Sequence, residues 1–390
     1  MPLDLYQVTI GIQGLVSRLK AEEASRAVRL HHALQLARSV DIDRLKKKIE
    51  ASKTTWLVAG LKSSLMQRHT GQPCPVEYTA LATDGSHIDV DRHSSLRCAL
   101  INIGNVALRY GHDVSASLET EASLLFGDEL FMSGPAGHQE AVEGALLGAR
   151  RSVDELEAMA RLAHRFHGAG PLLALVDGSL IMWGVQAFRD FIADKLLRGG
   201  FLKALDALRD MNVALAGFIS YPRSTDVVNT LRVALCPHDP ADCDRHCANS
   251  GTRSCDAVAG IQDRELFQQH LEDGERSPLF LSGSTFMQKN YGEHQIYFFY
   301  LKLEDEIVRV EMPRWVARDE RLVSLVHSLV LDQCRRGDGY PSALMEAHEK
   351  AVVTIADRER FWQLVEQVLC DDGIDVTMSG KRRSKLRRWV

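Results

Sequence analysis

The sequence predicts an α/β fold, a mixed sheet flanked by helices, and three observations carry that reading. The run from Pro171 to Trp183 is apolar apart from Ser179 and a single carboxylate, Asp177, and is bounded by Gly170 and Gly184. A short apolar run between breakers reads as a strand buried on both faces. The run lies between helix-like segments at 138–168 and 185–209, with another strand-like stretch, Val213 to Ile219, behind them. Strand, helix and strand in that order imply a parallel or mixed sheet with helices packed on it. The third observation is that Asp177-Gly178-Ser179 has a counterpart, Asp84-Gly85-Ser86, behind the strand-like Tyr78 to Thr83.

The remaining elements follow in chain order. Residues 1–70 alternate apolar and charged positions at helical spacing, as in Leu30, Ala33, Leu34 and Ala37, and read as two or three amphipathic helices. Cys98 to Gly104 is a second strand after the first Asp-Gly-Ser, and 111–137 is further strand or loop. The stripe Ala145, Leu146, Ala149, Val153, Leu156, Met159 and Ala160 makes 138–168 one long helix. The window from Cys236 to Ala259 breaks the pattern and reads as an inserted, Cys-rich lobe. Beyond it come a short helix at 263–271, strands within 279–287 and 294–313, and closing helices at 319–335 and 341–368. The expected division is a helical region at 1–70, a main domain at 71–375 with the insertion at about 236–260, and a basic tail at 376–390.

Composition narrows the function classes. With 390 residues, 45% of them hydrophobic and 25% charged, the chain is an ordinary globular one. No apolar run approaches the length of a membrane span, and Asp4 stands where a secretory signal would be basic, so the expected location is cytoplasmic. A net charge of −5 argues against a surface coated with phosphate-binding side chains. Six Lys and Arg between Lys381 and Arg388 form the single basic run, either a solvated tail or a contact for nucleic acid or an acidic partner. The eight cysteines of a cytoplasmic chain should be reduced.

Two constellations carry chemistry. If the two Asp-Gly-Ser strands are neighbours, Asp84 and Asp177 can share a divalent cation, the usual basis of metal-assisted phosphodiester hydrolysis. Asp-Gly is also the commonest hairpin dipeptide, so each copy alone reads equally as a turn. A third carboxylate would come from the helix before Asp177, which offers Glu155 and Glu157 beside Asp154. His348 shares a helix face with Leu344, Ala351 and Val352 and reads as either a packed histidine or a site residue. In the second constellation, Cys236, Cys243, Cys247 and Cys255, with His238 and His246 between them, supply donors for a structural Zn²⁺. No paired CxxC knuckles are present, which leaves an iron–sulfur cluster or free thiols as the other readings.

Four stretches together resemble the NurA family of prokaryotic DNA-end-processing nucleases: Ala82 to Ser86, Leu175 to Leu180, Val310 to Trp315, and Gly339-Tyr340-Pro341 continuing to Ala347-His348-Glu349-Lys350-Ala351. They occur in the family's order and span most of the chain from Asp84 onward. The resemblance implies an RNase H-like core and a Mn²⁺- or Mg²⁺-dependent nuclease acting on DNA ends, as a 5′–3′ exonuclease, a single-strand endonuclease or both. It also implies a homodimer and partnership with a HerA-type hexameric translocase in end resection. Carried over by position, Asp84 and Asp177 match the strand aspartates, and Glu155 best matches the helix glutamate, with Glu157 and Glu119 as alternatives. His348 matches the carboxyl-terminal histidine. Tyr221 or Arg223 falls where the family places a polar or basic residue near the scissile strand. The competing expectation is a scaffold with the nuclease fold and little activity, docking on a translocase ring. A metal-dependent phosphatase or RNase would use the same ligands.

Overall fold

The computed structural model describes residues 5–91, 96–168, 170–248, 251–304 and 306–374. The basic run at 381–388 lies outside them. In chain order the principal elements are α1 (Leu5–Ser39), α2 (Ile42–Ala51), β1 (Tyr78–Ile88), β2 (Cys98–Tyr110), β3 (Ser115–Phe126), α3 (Ala145–Phe166), β4 (Leu172–Asp177), α4 (Asp190–Leu196), α5 (Leu202–Asp210) and β5 (Ala214–Ile219). They continue with α6 (Asp226–Leu235), α7 (Cys243–Cys247), α8 (Asp263–Gln268), β6 (Ile296–Lys302), β7 (Ile307–Pro313), α9 (Glu320–Arg336), α10 (Ser342–Ala351) and α11 (Ile355–Asp371). The chain forms two compact units, Met1–Gly71 with Ile219–Glu311, and Gln72–Phe218 with Met312–Val390.

The second unit holds a mixed sheet in the order β3-β2-β1-β4-β5. β1 to β3 form an antiparallel meander, while β4 pairs parallel with both β1 and β5. Side chains alternate along β1, so its two faces meet different helices. Thr83 and Gly85 face α3, where the Thr83 hydroxyl donates to the Glu155 carbonyl at 3.0 Å. Asp84 and Ser86 face α10, where the Ser86 hydroxyl donates to the Ala351 carbonyl. Gln333 of α9, fully buried, anchors α10. Its amide donates to the Tyr78 hydroxyl at 2.9 Å, and its Oε1 accepts from the Ser342 hydroxyl at 2.9 Å and the Ala343 N–H at 3.0 Å, free donors at the start of α10.

In the first unit the carboxyl-terminal half of α1 docks through Ala33 and Ala37 onto a core built with Leu45, Val227, Leu231, Phe267, Phe280 and Tyr300. Its amino-terminal half leaves Leu5, Val8, Ile12, Leu15 and Leu19 exposed. Arg309 on β7 is buried between Asp226 at 2.7 Å and Glu311 at 2.9 Å, with the Phe298 ring 3.6 Å under its guanidinium. Glu311, one of the motif residues, is therefore spent on a buried ion pair. Asp263 sits beside this group, accepting the Val227 and Val228 N–H groups and the Tyr300 hydroxyl. Burial, and then the charge of Asp226, push its carboxyl up to about 7.

Several elements differ from the sequence expectation. The apolar run starting at Pro171 ends as a strand at Asp177, because Gly178 turns the chain with φ +98°. The helix expected from 138 begins at Ala145. The helix expected over 185–209 is broken into α4 and α5 by a π turn, Leu197–Phe201. A methyl group on Gly200 in that turn would meet Val153 Cγ1 at 2.3 Å, so the wide turn lets the backbone rest on α3. The closing helix at 341–368 is two, α10 and α11, restarted by a Thr354–Asp357 capping box. The Cys-rich window contributes Ala241 and Val258 to the core of the first unit, with Cys236 packed against it, and is stitched into it.

Candidate active site

Parallel pairing of β1 with β4 puts Thr83 opposite Val176, so Asp84 and Asp177 emerge next to each other where β4 ends. Strands in one sheet are about 4.8 Å apart, which sets the scale of the separation. The two Asp-Gly-Ser copies are local opposites. The first lies wholly inside β1, which runs on to Ile88; the second closes β4. Gly85 is required for space, since a Cβ there would meet the Glu155 carboxylate at 2.5 Å and Arg151 at 3.0 Å. Gly178 is required for its positive φ.

Asp84 is held on both oxygens. Oδ1 accepts the Gly85 N–H at 2.8 Å, and Oδ2 pairs with His348 Nδ1 at 2.9 Å. His348 reaches it because α10 lies directly on β2: a Cβ on Gly104, the residue opposite Asp84, would meet the Ala347 carbonyl at 2.4 Å. Asp177 receives a hydrogen bond from the Tyr340 hydroxyl. Desolvation at the strand end raises the Asp177 carboxyl above its usual range; the Tyr340 bond opposes this, the Asp84 charge adds to it, and His348 opposes it. The Tyr340 phenol is itself raised far above its ordinary value by burial and the Asp177 charge, so it stays a donor. Its ring meets Phe218 edge-on at 5.4 Å.

Glu155 approaches from the other face. Its carboxylate sits over Gly85, pairs with Arg151 at 2.9 Å, and is pushed up to about 8 by burial, with the charges of Asp84, Asp154 and Asp177 adding and Arg151 opposing. The alternatives are engaged elsewhere. Glu119 on β3 pairs with Arg165 at 3.0 Å, Asp154 pairs with Arg150 at 3.0 Å, and Glu157 lies against the π turn at Gly200. Asp84, Glu155, Asp177 and His348 thus gather in one neighbourhood of the second unit. Among the described residues, no three His, Cys, Asp or Glu side chains stand close enough to hold an ion together.

Tyr340, Gly85 and Gly104 were not singled out from sequence as site residues. Tyr340 stood in a motif stretch, where its hydroxyl was the available signal; nothing local marks a glycine whose neighbour is distant in sequence.

Tyr221 and Arg223 belong to the first unit. Tyr221 is exposed with φ +46°, its N–H donating to Glu306 at 3.2 Å and the Arg264 guanidinium lying 3.4 Å over its ring. It lines a groove of about 610 Å³ with Arg26, Arg264 and Glu306. Arg223 is exposed. The four cysteines of the 236–255 window are also in the first unit and are free thiols.

The family model for the NurA domain matches residues 78–353, which include every carboxylate and the histidine described above. The chain belongs to the NurA family. Membership makes it a nuclease-related protein with a broad link to DNA repair. No curated protein matches it. Among the described residues no helix is long and apolar enough to cross a membrane.

Proposed function

We propose that this NurA-family protein is a divalent-metal-dependent deoxyribonuclease that hydrolyses phosphodiester bonds at DNA ends. It acts as a 5′–3′ exonuclease, a single-strand endonuclease or both, in end resection beside a HerA-type hexameric translocase. The observation that carries the reading is the gathering of Asp84, Asp177 and Glu155 in one neighbourhood, where β4 ends beside β1, within a NurA domain. The β3-β2-β1-β4-β5 order supports the RNase H-like core that the family resemblance implies. Exposed Leu5, Val8, Ile12, Leu15 and Leu19, at alternating spacings of three and four, support a homodimer through α1.

The donor set fits a hard divalent cation. The candidate ligands are carboxylates, the charge of Asp84 adding to the rise of both Asp177 and Glu155, and the buried Glu155 oxygen over Gly85 has its charge offset only in part by Arg151. Asp84, Asp177 and Glu155 would hold Mn²⁺ or Mg²⁺, which when bound supplies hydroxide near neutral pH and offsets charge on the phosphoryl group. The protein's own groups do the positioning. Tyr340 fixes the Asp177 carboxylate, and Asp84 orients the imidazole of His348. With Nδ1 on Asp84, His348 has Nε2 left to exchange a proton with the attacking or leaving oxygen.

Purified protein with Mn²⁺ is expected to shorten end-labelled linear single-stranded DNA, and EDTA to stop it. Asp177→Asn should lower the rate at least 100-fold with circular dichroism unchanged. Full activity in that variant would remove the assignment. No digestion with either metal, with or without the translocase, would favour the scaffold reading.

A further inference from the structure

Four of the eight cysteines fall between residues 236 and 255, and in the first unit they sit on neighbouring elements. Cys236 caps the carboxyl end of α6, Cys243 and Cys247 stand one helical turn apart on α7, and Cys255 lies in the 3-10 turn Ser254–Val258, which packs on α6. The ionisable groups that act on the Cys243 thiol are Cys247, Cys255 and Cys236. No carboxylate is among them. The two imidazoles of the window stack on each other, the His238 and His246 rings lying 3.9 Å apart at 11°.

The backbone carrying these thiols is tied down from several sides. Lys48 Nζ donates to the Cys236 carbonyl at 2.5 Å, the Cys243 N–H to the Lys53 carbonyl at 3.0 Å, and Arg253 Nη2 to the Cys247 carbonyl at 3.4 Å. Arg232 Nη2 lies 3.9 Å from Cys255 Sγ. Cys255 is buried, and Cys236 packs against the core cluster of the first unit. A set of four sulfur donors without oxygen ligands selects a soft, thiophilic metal over Mg²⁺ or Mn²⁺.

We propose that Cys236, Cys243, Cys247 and Cys255 form a four-thiolate metal site, for Zn²⁺ or an iron–sulfur cluster, that staples α6, α7 and the 254–258 turn into the core of the first unit. Each sulfur bonds the metal as its thiol proton leaves to solvent, and the metal or cluster comes from the medium. No three of the thiols yet stand close enough to share one ion, so binding draws them inward. A cluster, whose terminal sulfurs are farther apart than those around one zinc, needs less of that movement. The site shares no ligand with the carboxylate set of the second unit.

The test uses the full chain, purified without a metal-affinity step, once in air and once anaerobically. Zinc, iron and acid-labile sulfide are counted per chain, and the visible spectrum is recorded. About one zinc, or about four iron with sulfide and visible absorption, is the expected result, and it separates the two sources. Cys243→Ser with Cys247→Ser should lose that metal, whereas Cys370→Ser and Asp177→Asn keep it. Stripping the wild-type chain of the metal should lower its Tm, a measurement that stands even where the double variant does not fold. Absence of both metals in both preparations overturns the proposal. Metal retained by a folded double variant, or a Tm unmoved by stripping, overturns it equally.

Discussion

Glu155 is a glutamate that α3 buries beside one arginine and near three other carboxylates, and this has a measurable cost. Its carboxyl titrates near 8 in the folded chain and near 4.5 when exposed. The folded state therefore keeps a proton that the unfolded state has released. The stability this contributes is fully present below about 4.5 and lost as pH rises through about 8. In EDTA, the wild-type stability read from urea unfolding should fall across that window by an amount on the order of a few kcal/mol. Glu155→Gln should remove this component, Asp263 contributing its own slope to both proteins. Superimposable pH profiles would show that the Glu155 carboxyl titrates alike in the folded and unfolded chains. A divalent cation favours the ionised carboxylate and should flatten the wild-type slope alone.

At the scale of elements, α10 is placed by contacts no single segment reveals. Gly104 provides its seat and Gln333 its anchor, and His348 is delivered to Asp84 as the result. Gly104→Ala puts a methyl 2.4 Å from the Ala347 carbonyl, so the helix must lift. We expect the variant to lose about 1–3 kcal/mol of stability and most of its nuclease rate, with His348→Ala adding little further loss. Additive losses would separate the glycine from the histidine. The strands bearing both aspartates were legible because apolar runs interrupted by one carboxylate have few explanations. α6 was not: Asp226, Asn229 and Thr230 are buried along with Val227, Val228, Leu231 and Val233, so polarity does not tell its inward face from its outward one. The break between α10 and α11 was legible in principle, Thr354 and Asp357 having capping-box spacing. The break at Gly200 depends on contact with α3, which periodicity does not encode, whereas the break after Asp177 turns on the positive φ of Gly178, local to the Asp-Gly dipeptide.

For the whole molecule, a net charge of −5 means that any affinity for DNA comes from local arginines and lysines set against an unfavourable average field. Phosphate contacts release counterions and read no bases. Binding of the Asp177→Asn protein to linear DNA, followed by fluorescence anisotropy, should weaken at least tenfold between about 50 and 200 mM salt and change little with sequence. Affinity indifferent to salt would point to base stacking or an apolar interface.

The alternation of Asp84 and Gly85 ties the candidate site to the registration of a hairpin. Asp84 lies opposite Gly104 and Gly85 opposite Ile103, so one face offers α10 a carboxylate beside a bare seat while the other opens a window for Glu155. Adding a single residue anywhere between Thr79 and Thr83 would turn Asp84 toward α3 and Gly85 toward α10, exchanging both at once. Lengthening the connection between β1 and β2 has no such effect. Tolerance to insertion should therefore change abruptly at the border of β1, in a stretch whose composition gives no hint of the difference.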